Sequence, residues 1–361
     1  MNQRERFKRS MRFEKVDRVP FWDYGYWEET IDVWKREALP REVTDIEDFF
    51  GLETWITAPV NIDMCPSFEP EVIEENERSR VIRDPGGVLL RESKVGSSIP
   101  QFIDFPVKCR RDWEQLKGRF DASTRGRYPS DWDDQVKIMN AGDKPVFLPI
   151  AGYFGFLRQL MGLEGLSYLL YDDPQLILDI QEHMTELRMT VLARALKDVE
   201  FDAAAAWEDM SCNKGPLISP AMYRRFMLPF YKQMTKFVAD HGIDIVIVDS
   251  DGNINELVDL FIESGITANL PLEVRSDNDA LAIREKYPTF GIVGGIDKRA
   301  LMKGKSEIDA ELEKLKVLLP KGGFIPTVDH RVPPDVPYEN YVYYLLQKWR
   351  LIHDKRTYGK K

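Results

Sequence analysis

The residues best suited to chemistry in this chain are acids standing at the ends of short apolar runs. "DIVIVDSDGN" (244–253) ends in Asp249 and Asp251, two apart, so that on an extended backbone both carboxylates face one point. Other runs finish alike: "RVPFWDYG" in Asp23 and Tyr24, "AAAAWEDM" in Glu208 and Asp209, "TANLPLE" in Glu273, "FGIVGGIDK" in Asp297 and Lys298, and "GGFIPTVDH" in Asp329 and His330. Tyr153 follows a further run, "PVFLPIAG". Carboxylates crowded into one cleft repel each other unless a metal, a cationic ligand or raised pKa values relieve them. The chemistry implied is cation binding with proton transfer, and Glu208, Asp249, Asp251 and His330 are the expected metal-binding and catalytic groups. Of the four histidines, His330 alone follows a strand-like run; His183, His241 and His353 fall on helices or their ends. The competing role for an acid just before a helix is the N-cap, which fits Asp251-Gly252 and Asp297 well. Trp207 and Tyr153 offer flat faces for a ligand, or fill the core.

Eight strand candidates position these groups: 18–25, 52–58, 145–150, 203–208, 244–249, 267–272, 289–294 and 323–328. Most are followed by a helical pattern, as at "SPAMYRRFMLPFYKQMTKFVADHG", where Ser219 is the expected N-cap and Pro220 the first helical residue. Strand–helix alternation on this scale predicts a parallel sheet, and eight units predict an α/β fold of the (β/α)8 TIM-barrel type over residues 1–361. In such a barrel the side chains that act lie at the C-terminal ends of the strands. A doubly wound open sheet is the rival, and no Gly-x-Gly-x-x-Gly follows the first strand to favour its dinucleotide-binding form. Residues of about 60–140 read as an insertion. Within 70–108, "SRVIRDPGGVLLRES" predicts a β-hairpin turning at Asp84-Pro85-Gly86-Gly87.

Composition narrows the partners. With 50 Lys and Arg against 60 Asp and Glu the net charge is −10, unfavourable for nucleic acid or an anionic membrane surface. The three cysteines, Cys65, Cys109 and Cys212, are far apart and form no Cys-x-x-Cys pair, which fits a reducing cytoplasm. No apolar run approaches the roughly 18 residues of a membrane span, and the charged start "MNQRERFKRSMRFEK" has no signal-peptide character.

"HRVPPDVPYENY" (330–341) resembles the uroporphyrinogen decarboxylase family, whose pattern before its last helix is His-Gly-Ile/Val-x-Pro-x-Thr-Pro-x-Glu-Asn; His330, Val332, Pro334, Pro337, Glu339 and Asn340 match. "VGGID" (293–297), "SPAMYRRFMLPFYKQM" (219–234) and "RERFKRSMRFEKVDRVPFW" resemble further stretches of that superfamily. The resemblance implies a (β/α)8 barrel and a homodimer. It covers two chemistries. The decarboxylases use no cofactor and carry an Arg-Gln-x-Gly-Arg stretch for substrate carboxylates; here that region reads "WDYGYWEETIDVWKRE". The corrinoid-dependent methyltransferases bind zinc through His-x-Cys-Gly and a later Cys. "DSDGN" falls on the first of those motifs, so that Asp249, Asp251 and His330 take the ligand positions with harder donors than thiolates.

The expectation is therefore a methyltransferase working between a small-molecule substrate and a corrinoid. The chain has no Asp-x-His-x-x-Gly corrinoid signature of its own, so the corrinoid is expected on a partner protein. A divalent metal such as zinc would sit at Asp249, Asp251, His330 and Glu208. Tyr153, Trp207, Asp209, Glu273, Asp297, Lys298, Arg158 and Asp23 are the expected substrate contacts. The alternatives are a cofactor-free decarboxylase of uroporphyrinogen or another cyclic or aromatic acid, with Lys298, Arg331 or Arg158 holding carboxylates, and a non-catalytic ligand-binding barrel.

Overall fold

Small and β-branched residues buried on both faces build the sheet, which is the composition a parallel sheet covered by helices requires. The computed structural model describes residues 1–95 and 99–358. Strand β1 is Ile56–Thr57. Strands β2 (Glu71–Glu75), β3 (Ser79–Arg83), β4 (Leu89–Ser93) and β5 (Gln101–Asp104) make a separate antiparallel sheet of four. Then come β6 (Val146–Pro149), β7 (Ala203–Trp207), the short pair β8 (Ser211–Cys212) and β9 (Gly215–Pro216), β10 (Val246–Asp249), β11 (Ala268–Leu272), β12 (Gly291–Ile296) and β13 (Phe324–Val328). The main sheet is parallel, in the order β1-β6-β7-β10-β11-β12-β13.

That sheet is curled. Phe147 of β6, Ile247 of β10, Ala268 of β11, Val293 of β12 and Ile325 of β13 meet in one buried cluster, although several of these strands are not neighbours. Phe7 and Met11 of the helix Gln3–Met11 belong to the same cluster and fill the curl. A second, larger apolar layer lies between the outer face of the sheet and the helices.

The sheet has seven strands, not the eight expected. Residues 18–25 form no strand; only an isolated bridge, Tyr26 to Val332, marks their course. The physical reasons are local. Pro20 has no N–H to donate, and Gly25 turns at φ +94°. The N–H of Val328 donates to the Asp23 side chain at 2.8 Å rather than to a backbone carbonyl. On the other side Glu53 N–H donates to Phe21 O at 2.9 Å, so the segment lies beside both ends of the sheet without a regular ladder.

The other seven strands fall inside or within two residues of their expected ranges, and the helices Phe154–Asp172, Pro174–Asp198 and Tyr338–His353 lie between or after them as the alternation predicts. Ser219 caps the helix Pro220–Phe226 by accepting from Met222 N–H. The expected hairpin is β3–β4, closed at Asp84 by Val88 and Gly87 N–H groups; β2 and β5 widen it to four strands. Buried Arg127 ties the insertion together, donating to the carbonyls of Asn61, Asp63, Arg119 and Asp121. No helix among the described residues is long and apolar enough to cross a membrane.

Candidate functional site

Strand alternation decides which acids face the mouth. Ile245 and Ile247 belong to the cluster inside the curl, so the same parity carries Asp249 and Asp251 up the inner face. On β7, Ala203 and Ala205 face inward and Trp207 continues that face; Glu208 has the opposite parity.

The turn after β10 brings the acids together. Gly252 has φ +81°, and a Cβ there would lie 2.7 Å from the Ser211 backbone, so glycine alone lets β8 pack on this turn. Ser211 Oγ donates to Asp251 O at 2.6 Å, and Gly252 N–H donates to Glu273 Oε2 at 2.8 Å. Buried Asp329 fixes the neighbouring loops, accepting N–H groups from Val274 at 3.1 Å, Arg275 at 3.3 Å and Lys298 at 3.2 Å. It thereby sets both Glu273 and His330, each adjacent in sequence to one member of that network.

Asp251, Glu273 and His330 each offer a ligand atom, and the three atoms lie within 4.8 Å of one another. His330 Nε2 is 3.5 Å from Asp251 Oδ2. Asp251 Oδ1 is buried and has no hydrogen-bond partner among the described residues, the condition a bound cation would relieve. Tyr24 packs against the His330 ring at 5.5 Å between centroids, with Trp27 at 6.2 Å. Burial, then the charges of Asp251 and Asp209, push Asp249 up to about 7, against the lowering effect of His330. Burial and Asp251 also raise Asp209, which Arg158 opposes from 3.3 Å. The floor is thus a concentration of negative charge with too few cations to balance it.

Several expected contacts lie elsewhere. Glu208 is fully buried on the outer side of β7, where it accepts Tyr153 N–H and Gly155 N–H at 2.7 Å each and the Tyr231 hydroxyl. It belongs to no metal-ligating cluster among the described residues, and burial raises its pKa. Its carboxylate oxygens are thus engaged by two backbone N–H groups and a hydroxyl, apart from the Asp251–Glu273–His330 cluster with which it was expected to bind a metal and act. Asp249 joins the site by charge, not as a member of the ligand cluster. Tyr153 is fully buried, its hydroxyl donating to Phe230 O, so it presents no face to a ligand. Asp23 is likewise withdrawn, accepting Val328 N–H and the Tyr341 hydroxyl and lying 3.4 Å from Lys348 Nζ. Asp297 caps the helix Lys298–Lys303 and pairs with Arg299, while Lys298 lies 3.6 Å from Asp329. Trp207 and Arg158 do stand at the mouth: Trp207 lines an open cavity of about 260 Å³, with the Arg158 guanidinium 5.5 Å from its ring centre.

Two charged residues of that cavity's surroundings have no counterpart in the sequence-based set: Asp63, and Arg188 behind it. A signal existed for the second. Ile177, Gln181, Met184 and Arg188 repeat at helical spacing on the buried face of Pro174–Asp198, and an arginine in a buried stripe is rare without a partner.

The comparisons agree with this architecture. The family model "Uroporphyrinogen decarboxylase (URO-D)" matches residues 97–345, and the chain belongs to that family. A uroporphyrinogen decarboxylase from Syntrophotalea carbinolica is 23% identical over 215 residues, a match that spans 58% of this chain and 58% of that relative. A solved methyltransferase from Methanosarcina mazei superimposes with a TM-score of 0.60 at 17% identity, over 96% of this chain and 98% of the other, which establishes a shared fold.

Proposed function

We propose that this chain is a methyltransferase that moves a methyl group between a small substrate and a corrinoid carried on a partner protein, with a divalent metal held by Asp251, Glu273 and His330. One observation carries the reading: three ligand atoms of suitable chemistry converge within 4.8 Å at the strand ends, and one carboxylate oxygen there is buried without a partner among the described residues. Two carboxylates and an imidazole suit manganese, iron or zinc. Asp251 and His330 also stand where the resemblance to the methyltransferase branch places metal ligands. When bound, such an ion supplies Lewis-acid polarisation of the heteroatom that loses or gains the methyl group.

The chain's own groups do the rest. Trp207 bounds the cavity beside the mouth, and Arg158 orients the Asp209 carboxylate. Asp249, at the end of β10 two residues before Asp251, is the carboxyl assigned to pass a proton to the departing heteroatom. Gly252 N–H and Ser276 Oγ both donate to Glu273 Oε2, which holds that carboxylate at the site. The acidic floor argues against a porphyrinogen bearing many carboxylates, because like charges would be brought together.

Metal analysis of protein purified without chelator tests the reading. About one equivalent of metal is expected, with uptake of Mn²⁺ or Zn²⁺ weakened at least tenfold in Asp251→Asn and His330→Ala, together with methylation of free cob(I)alamin by small O- or N-methyl compounds. Carbon dioxide release from uroporphyrinogen by metal-free protein, with both variants unchanged, would replace it with the decarboxylase reading.

A further inference from the structure

Arg188 is fully buried, yet its guanidinium is poorly served. One nitrogen, Nη1, donates to Gly152 O at 3.2 Å. Among the described residues, Nε and Nη2 have no hydrogen-bond partner. The nearest carboxylate, Asp63, is 3.7 Å from Nη2, and its side chain is 56% exposed. The rest of the surroundings is two aromatic side chains, one of which also brings its hydroxyl near the guanidinium: the Phe156 ring centre lies at 4.9 Å and that of Tyr153 at 5.5 Å. A permanently charged group in such a setting is costly without a hydrogen-bonded anion.

The cavity beside the mouth supplies the place for one. Asp63, Gly152 and Phe156, which surround the guanidinium, are also walls of the cavity of about 260 Å³ that Trp207 closes on its other side. Val60, Ile62 and Pro149 make the remaining wall largely apolar. A space of about 150 Å³ already admits a benzene ring, so this one takes a single ring with a substituent.

We propose that Arg188 binds the carboxylate of a small ligand whose flat apolar body fills this cavity, and that Asp63 is the residue the ligand carboxylate displaces. The two unserved N–H directions of a guanidinium match the two oxygens of a carboxylate, which a lysine could not reproduce. The ligand's far end then lies beside Trp207 and the Arg158–Asp209 pair, next to the acidic floor. The subsite depends neither on a metal nor on methyl transfer.

Calorimetric titration with benzoate, using benzyl alcohol as the neutral probe, tests it without turnover, so its failure leaves the metal reading untouched. Benzoate is expected to bind at least tenfold more tightly than benzyl alcohol. Asp63→Asn, a change at an exposed side chain, removes the competing carboxylate and is expected to tighten benzoate about three- to tenfold. Arg188→Met is expected to weaken it by about 10- to 100-fold, the range for loss of a charge-assisted hydrogen bond. Equal benzoate affinity in the wild type and Asp63→Asn, or no preference over benzyl alcohol, overturns the proposal; so does a folded Arg188→Met protein that keeps its affinity. If Arg188→Met does not fold, the first two comparisons decide.

Discussion

Replacing Lys348 by Met tests how the sheet is completed where no eighth strand forms. Lys348 and Asp23 have side chains only 1% exposed and lie 3.4 Å apart. Lys348 Nζ also donates to Trp22 O at 2.8 Å and to the Tyr344 hydroxyl at 2.9 Å. Burial lowers the pKa of the ammonium, and Asp23 opposes that. The pair therefore contributes little net stability, but breaking it is a different matter. Lys348→Met would leave the Asp23 carboxylate buried without a cation, holding the Val328 and Tyr24 N–H groups and the Tyr341 hydroxyl, and would leave Trp22 O without the Lys348 donor. Removing one member of a buried pair costs about 3–5 kcal/mol. At no more than about 2 °C per kcal/mol, the low end for domains of roughly 150–250 residues, Tm should fall by up to about 6–10 °C. The double variant Asp23→Asn/Lys348→Met removes both charges and should recover more than half of that loss. Urea unfolding followed by tryptophan fluorescence reads the effect, because Trp22 lies within the affected segment. A single variant costing less than about 1 kcal/mol, or a double variant as unstable as the single, would refute the claim that this pair stands in for ladder hydrogen bonds.

Two further predictions concern other buried or paired carboxylates. Glu208→Gln should cost about 1–3 kcal/mol in urea unfolding, because an NH₂ group must then face one of the donors Tyr153 N–H, Gly155 N–H or Tyr231 O–H; metal affinity should stay unchanged, and a tenfold loss would restore Glu208 to the ligand set. Burial raises the Asp17 carboxyl, but the hydrogen bond and charge of Arg6 outweigh this and bring it down to about 2. A folded pKa below the unfolded one means stability that is present above about pH 4 and lost as the pH falls toward 2. The urea midpoint should drop across that window, with a shallower slope in Asp17→Asn, and identical slopes would count against the assignment.

The chain's alternation of apolar runs and helical patterns made the parallel sheet legible, because burial on both faces demands continuous apolar strands. His330, Asp251 and Glu273 were legible as strand-end groups, since parallel strands of one sheet deliver their C-terminal ends to the same rim. Segment 18–25 misled, because its apolar residues reflect burial alone, while Pro20, Gly25 and the Asp23 side chain decide how it bonds. Glu208 and Asp209 look equivalent in sequence. Asp209 takes a left-handed turn at φ +45° and stands with Asp251 and Arg158, whereas Glu208 points into the helical layer.

By itself, then, the sequence determined the elements and the acidic rim, since both follow from local periodicity and residue type. Only the tertiary structure decided which acids meet, which are spent on backbone N–H groups, and that Arg188, 125 positions away from Asp63 along the chain, stands 3.7 Å from it behind the cavity wall. Such convergence depends on the curl of the sheet and the packing of a distant helix, and no local pattern of residues encodes that geometry.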